Sequence, residues 1–318
     1  MKSKLSLISM VVMAIVIFSC DARKGGQQVT IDATFTEEDG TFYFYAIGDW
    51  GRRGQFGQKE LATTMGKAAR VVEPEFIVST GDNFYPDGVA STLDPAWKHS
   101  FEEVYSDHSL NCTWYVTLGN HDYRGSVQAQ IDYSNISRRW EMPDRYFFRD
   151  VTIEKGKSAR FLFIDTNPLN DEYYTRDKYR NTVIDQDTTA QLQWIDSLLQ
   201  VDVDYKIVVG HHPLYTGGKR VADINYVRKH LEPLLDKHKV TAYIAGHEHD
   251  LQHIKPENHP THHLVSGAGS EVRPTGSLEA TVFAKSIQGF LVVGLKAQGI
   301  DIQFVDLHGD VVHSYLIE

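Results

Sequence analysis

The sequence predicts an α/β fold that gives way to a β-rich C-terminal end. Three observations point there. Up to about residue 250, short runs of β-branched and aromatic residues alternate with helical patterns. Beyond residue 260 the strand-like runs follow one another with no long helical pattern between them. Each conspicuous polar cluster comes directly after one of the earlier runs, and an open α/β sheet gathers ligand groups at its C-terminal strand edge.

In chain order, TFYFYAI (41–47), EFIVST (75–80), TWYVTL (113–118), RFLFIDT (160–166), YKIVVG (205–210) and VTAYIAG (240–246) read as strands. TTAQLQWIDSLLQ (188–200) reads as an amphipathic helix. Leu192, Ile195, Leu198 and Leu199 share one face, and Asp187 or Thr188 stands at the capping position. VRKHLEPLLDKH (227–238) is a less regular helical pattern with Pro233 inside it. HHLVSG, GFLVVGLKA, IDIQFVDL and VVHSYLI make the β-rich end. No repeat, low-complexity tract or second linker interrupts residues 41–318, so they read as one domain.

The chain has 318 residues, 42% of them apolar, enough for a large core. A formal net charge of −10 argues against nucleic acid as a partner, since backbone binders are usually basic. It does not argue against small phosphorylated ligands, because a bound metal can dominate the local field. Residues 1–20 read as a targeting segment. Lys2 and Lys4 precede an apolar run from Leu5 to Phe18, too short to span a bilayer comfortably. The run ends in IFSC, which resembles a bacterial lipoprotein signal with Cys20 as the lipidated N-terminus; the alternative is an uncleaved anchor. An exported lipoprotein of the cell envelope, held to a membrane through Cys20, is therefore expected, with residues 21–40 as a polar tether. Cys112 is then left without a disulfide partner and is expected in the core.

The polar clusters are GDWG (48–51), GDNFY (81–85), GNHD (119–122), GHHP (210–213) and GHEHD (246–250). Taken singly, each is an ordinary turn. Together they bring Asp49, Asp82, Asn120, His211, His247 and His249 to one edge of a single predicted sheet. Thiolate is absent, which argues against a structural zinc site. Carboxylate, imidazole and amide donors suit iron, manganese or zinc in an open catalytic site. There are too many donors for one metal with a free position, so two metals sharing a carboxylate are expected. If strand geometry continues through 246–250, His247 and His249 face the site and Glu248 points away, with no assigned role. The histidines outside these five motifs read as surface or core residues.

In this order the motifs resemble the calcineurin-like binuclear metallophosphatases, specifically purple acid phosphatases of the small, tartrate-resistant type. The resemblance extends through SGAGS (266–270) and covers about 42–318. It implies a sandwich of two β-sheets flanked by helices, with metals at the C-terminal strand ends. It implies Fe(III) on Asp49, Asp82, Tyr85 and His249. A second, divalent metal (Fe, Zn or Mn) would sit on Asn120, His211 and His247, with Asp82 bridging. Tyr85 stands in for the D-x-H histidine that many relatives carry at the first motif, where this chain has Asp49-Trp50-Gly51.

The implied activity is acid hydrolysis of phosphate monoesters, on small molecules or phosphopeptides, by attack of a metal-bound hydroxide. Asn120 and His121 would contact substrate, and His121 would serve the leaving group. Arg220 occupies a position where the animal enzymes place a histidine. It either clamps phosphate or faces solvent. His212 either orients a ligand or makes a local hydrogen bond. A phosphodiesterase or nucleotide hydrolase on the same scaffold is the alternative, with specificity in loops 86–100, 123–145 and 167–187. A non-catalytic metal-binding surface lipoprotein is the third reading.

Overall fold

The computed structural model describes residues 29–318. The signal segment and Cys20 lie outside the described residues. The first sheet contains β1 (Phe42–Ile47), β2 (Phe76–Ser79), β3 (Thr113–Val116) and β4 (Trp140–Glu141), all parallel. The second is built around β5 (Phe147–Thr152), β6 (Ser158–Phe163), β7 (Tyr205–Val209), β8 (Ala242–Ala245), β9 (Leu251–Ile254), β10 (His262–Ser266) and β11 (Thr281–Lys285). The C-terminal strands β12 (Gly289–Lys296), β13 (Gly299–Asp306) and β14 (Val311–Ile317) return antiparallel to complete the first sheet. The strand orders are β14-β13-β12-β1-β2-β3-β4 and β11-β9-β10-β8-β7-β6-β5.

The five motifs therefore come from two sheets, not from one edge of a single sheet. Three follow β1, β2 and β3; two follow β7 and β8. Central strands buried on both faces read as continuous apolar runs, and such runs carry no mark of which sheet they join.

Period-two alternation explains how those runs are used. Phe161, Phe163, Ile207, Val209, Ala242 and Ile244 face the first sheet and join the larger core. Phe161 meets Phe44 of β1 edge-on at 5.1 Å and Phe76 of β2 at 5.3 Å, which locks sheet to sheet. Leu162, Ile164, Val208, Tyr243 and Ala245 point the other way, against Ile195, Leu199, Val227 and Leu231. Those four belong to or border two outer helices. Following α1 (Gln58–Ala69), α2 (Val127–Tyr133) and α3 (Asp177–Val183), these are α4 (Thr188–Leu198) and α5 (Val221–Lys237). Asp187 caps α4, accepting from the Ala190 amide at 2.9 Å. α5 starts earlier than its apolar pattern suggests and continues through Pro233.

Two further expectations change. Residues 29–40 pack onto the domain. Phe35 is buried in the main core, and the Asp32 amide donates to the Gly309 carbonyl at 2.9 Å. Cys112 is half-buried at the margin of the core, and burial raises its thiol to about 11.

Candidate metal centre

The loops after β1, β2, β3, β7 and β8 meet where the two sheets approach each other. Asp49, Asp82 and His247 all sit at positive φ, 58°, 52° and 69°. Non-glycine residues avoid that region unless their surroundings impose it, and such strain collects at functional sites. Backbone contacts impose it here. His247 N–H donates to Asp49 Oδ2 at 2.8 Å, and His121 N–H donates to Asp82 Oδ1 at 2.7 Å. Asp122 fastens the second motif to the third, accepting from the Gly119 amide (2.8 Å), the Asn83 amide (3.1 Å) and the Phe84 amide (3.2 Å). Gly119 has no room for a side chain: a Cβ there would lie 2.1 Å from the Asp82 nitrogen.

The expected ligands converge in two groups. In the first, the Tyr85 hydroxyl lies 2.9 Å from Asp49 Oδ1, 2.8 Å from Asp82 Oδ2 and 3.1 Å from His249 Nε2. In the second, His211 Nε2 lies 3.1 Å from His247 Nδ1, 3.4 Å from the Asn120 amide oxygen and 3.5 Å from Asp82 Oδ1. Asp82 belongs to both. All seven side chains are buried.

Three observations fit this donor set to cations. First, the single phenolic proton of Tyr85 is offered to two carboxylates at once. Burial, with Asp82 opposite, pushes Asp49 up to about 7; burial also raises Asp82, but His211 and His121 outweigh it and hold it low. Burial, then Asp49 and Asp82, hold the Tyr85 phenol well above its ordinary value, so only a strongly charged cation would displace its proton. Second, His211 Nδ1–H donates to the Thr80 carbonyl at 2.9 Å, which fixes the tautomer with the Nε2 lone pair facing the site. Third, the Asn120 amide reaches the site and its two orientations differ in partners: with nitrogen inward it would donate to His247 Nδ1 at 2.9 Å and its oxygen would accept from Tyr179 at 3.0 Å, whereas a bound cation would be met by the oxygen.

The calcineurin-like phosphoesterase pattern matches residues 42–251. Purple acid phosphatase 17 of Arabidopsis thaliana is 35% identical over 88% of this chain and 85% of its own. The chain belongs to the purple acid phosphatase branch of the calcineurin-like phosphoesterases. Tartrate-resistant acid phosphatase type 5 of Homo sapiens is 32% identical over 84% of this chain and 87% of its own. Among solved structures, GAP50, described as the anchor in the inner membrane complex of Plasmodium, superposes with a TM-score of 0.75. It is 30% identical over 87% of this chain and 89% of that one.

The remaining expected residues of this purple acid phosphatase relative surround the centre. His121 packs against Tyr85 with the rings tilted by 49° and their centroids 4.3 Å apart, and its Nδ1 donates to the Pro86 carbonyl. His212 is saturated: Nδ1 lies 2.7 Å from Thr166 Oγ1 and Nε2 lies 2.8 Å from the Tyr173 hydroxyl. The local hydrogen bond is therefore the reading that holds for His212, although its ring lies beside His211 and His247. Arg220 is half-buried at the start of α5, close enough for its charge to depress His247. It is not simply a solvent-facing residue.

Three residues near the site, two of them outside the motifs, make contacts that the motifs do not assign. Arg124 extends to His121, donating from its NH2 group to Nε2 at 3.2 Å and to the Tyr179 hydroxyl at 2.8 Å. Tyr179, from α3, bonds Asn120. Glu248 belongs to neither ligand group, but it is not idle. It is buried and raised to about 7, chiefly by burial, and it accepts from the Arg220 amide at 2.6 Å. The only sequence hint of Arg124 was its place two residues after GNHD.

Proposed function

We propose that the chain is an acid phosphatase acting on phosphate monoesters at a binuclear centre. Fe(III) is held by Asp49, Asp82, Tyr85 and His249, and a divalent Fe, Zn or Mn by Asp82, Asn120, His211 and His247. The observation that carries this reading is the buried, proton-poor junction of Asp49, Asp82 and Tyr85, which suits a trivalent ion. When bound, the metals supply neutralisation of phosphate charge and a water of lowered pKa.

The protein's own residues do the rest. The floor of the site is buried by both sheets, which strengthens every polar contact made there. His121 Nδ1 carries its hydrogen toward the Pro86 carbonyl, so Nε2 accepts from Arg124. Burial lowers the imidazole pKa, Arg124 adds to this, and Asp82 opposes both. In this arrangement His121 is neutral and Arg124 is the charged donor. A phosphoryl oxygen arriving at Arg124 would draw the guanidinium off Nε2. His121 would then be free to take up a proton there and pass it to the leaving oxygen. Arg220 is the second cation at the rim and would bind substrate phosphate from the α5 side.

The Plasmodium likeness favours a second reading, a protein that anchors rather than hydrolyses. The complete donor set, with His121 beside it, favours the enzyme. Location follows the sequence reading: an exported lipoprotein, which uptake of a radiolabelled fatty acid by wild type but not Cys20→Ser would test. Turnover of p-nitrophenyl phosphate and bis-p-nitrophenyl phosphate by the iron-loaded protein tests the activity. Faster monoester hydrolysis is expected. A diester preference would favour the phosphodiesterase alternative, and no turnover of either would favour the anchor.

A further inference from the structure

The loop GRRGQFG (51–57) joins the first metal motif to α1, and its backbone is unusual. Arg53 and Phe56 both sit at a φ of 54°, beside Gly54 and Gly57 at 74° and 75°. A bulky aromatic in that region is rare and is held there only by its surroundings. Gln58, fully buried, does the holding: its Oε1 accepts from the Arg52 amide at 3.1 Å and the Gly54 amide at 2.7 Å, while its Nε2 donates to the Ser100 carbonyl at 2.8 Å. The Arg53 amide donates to Ser100 Oγ at 3.1 Å, and Gln288 Nε2 donates to the Phe56 carbonyl.

This rigid loop spends its strain on exposing an aromatic ring. Phe56 is 55% exposed. It borders a cavity of about 300 Å³ together with Arg52, Arg53, Gln55, Tyr85 and Pro86. The cavity opens onto the ring of Tyr85, whose hydroxyl lies at the metal centre. The Arg52 guanidinium lies 3.9 Å from the Tyr85 ring centroid and 5.1 Å from that of Phe56, and it pairs with Glu271 at 2.7 Å. Arg52 is thus committed to the wall. The Arg53 side chain is exposed and has no ion pair or hydrogen bond among the described residues. The cavity therefore offers a flat apolar face and one spare cation beside Tyr85, whose hydroxyl reaches the centre.

We propose that this cavity is the leaving-group subsite, resting on the phosphatase reading above, and that it selects aryl phosphates whose ring carries a negative charge. The ring lies against Phe56, and its anionic substituent meets Arg53. In the reaction, water supplies the new P–O bond and the ester P–O bond breaks. The aryl oxygen leaves with the electron pair and takes up one proton.

Four monoesters separate ring from charge: 4-carboxyphenyl phosphate, phenyl phosphate, 3-phosphoglycerate and glycerol 3-phosphate. With the metal-loaded wild type, the carboxylate should lower KM for the aryl ester by roughly 5-fold, the worth of one good exposed ion pair. Arg53→Gln should erase that gain and leave phenyl phosphate unchanged. Phe56→Ala should raise KM for both aryl esters and spare both alkyl esters. Both side chains are exposed, so neither variant threatens the core. Turnover of all four with no carboxylate effect, or an effect that survives Arg53→Gln, overturns the subsite alone. No turnover of any of the four overturns the phosphatase reading and the subsite with it.

Discussion

Tyr85 concentrates the residue-scale chemistry, because its phenol touches both carboxylates of the centre and His249. A phenolate bound to Fe(III) absorbs visible light by charge transfer. Tyr85→Phe should bleach that absorption in the iron-loaded protein, whereas an unchanged spectrum would remove Tyr85 from the iron. Glu248 makes a different case. Its neighbours His247 and His249 were expected as ligands from the five motifs taken together and the resemblance they carry. Its own role was not, because the partner, the Arg220 amide, lies 28 residues away in sequence. Replacing it by alanine leaves that half-buried amide without its acceptor and should cost about 1 kcal/mol. Urea unfolding of Glu248→Ala against Glu248→Gln would show this, with the amide variant expected nearer to wild type. Equal stability of the alanine variant and wild type would mean that the contact contributes nothing.

At the scale of elements, the strands before the five motifs were legible because each is a dense β-branched or aromatic run closed by glycine. α4 was legible because its apolar face repeats at helical spacing and Asp187 precedes it. α1 was not, since Leu61 and Met65 are the only large apolar side chains on its buried face and the rest is Ala62, Ala68, Ala69 and polar or glycine residues, and neither were α2 and α3, each about two turns long. The assignment of strands to two sheets was also beyond reach of spacing, because pairing is set by tertiary packing. The cap gives a clean test. Asp187→Ala removes the acceptor for the Ala190 amide and should lower unfolding stability by about 1 kcal/mol. Metal content should not change, because α4 packs on the outer face of the second sheet. Metal loss in this variant would show that the outer helices support the centre directly.

For the whole molecule, burial of imidazoles sets how the fold responds to acid. Burial is the main cause that lowers His253 to about 3, His262 to about 4 and His263 to about 3. An unfolded histidine titrates near 6.5, so below that pH the unfolded chain binds protons that these folded histidines refuse. Their contribution is therefore complete above about pH 6.5 and declines as the pH falls toward about 4, by up to about 1.4 kcal/mol per pH unit for each fully neutral group. Urea midpoints should fall between pH 7 and pH 5, and His263→Asn should flatten the slope. A flat profile in wild type would mean that these histidines titrate normally in the fold. The two-metal centre itself rests on Asp82, the one side chain shared by both ligand groups. Metal analysis of purified wild type and Asp82→Ala tests it most directly. Two metals per chain, at least one of them iron, are expected in wild type, with loss of both sites in the variant; a variant that keeps both metals would contradict a centre bridged by Asp82.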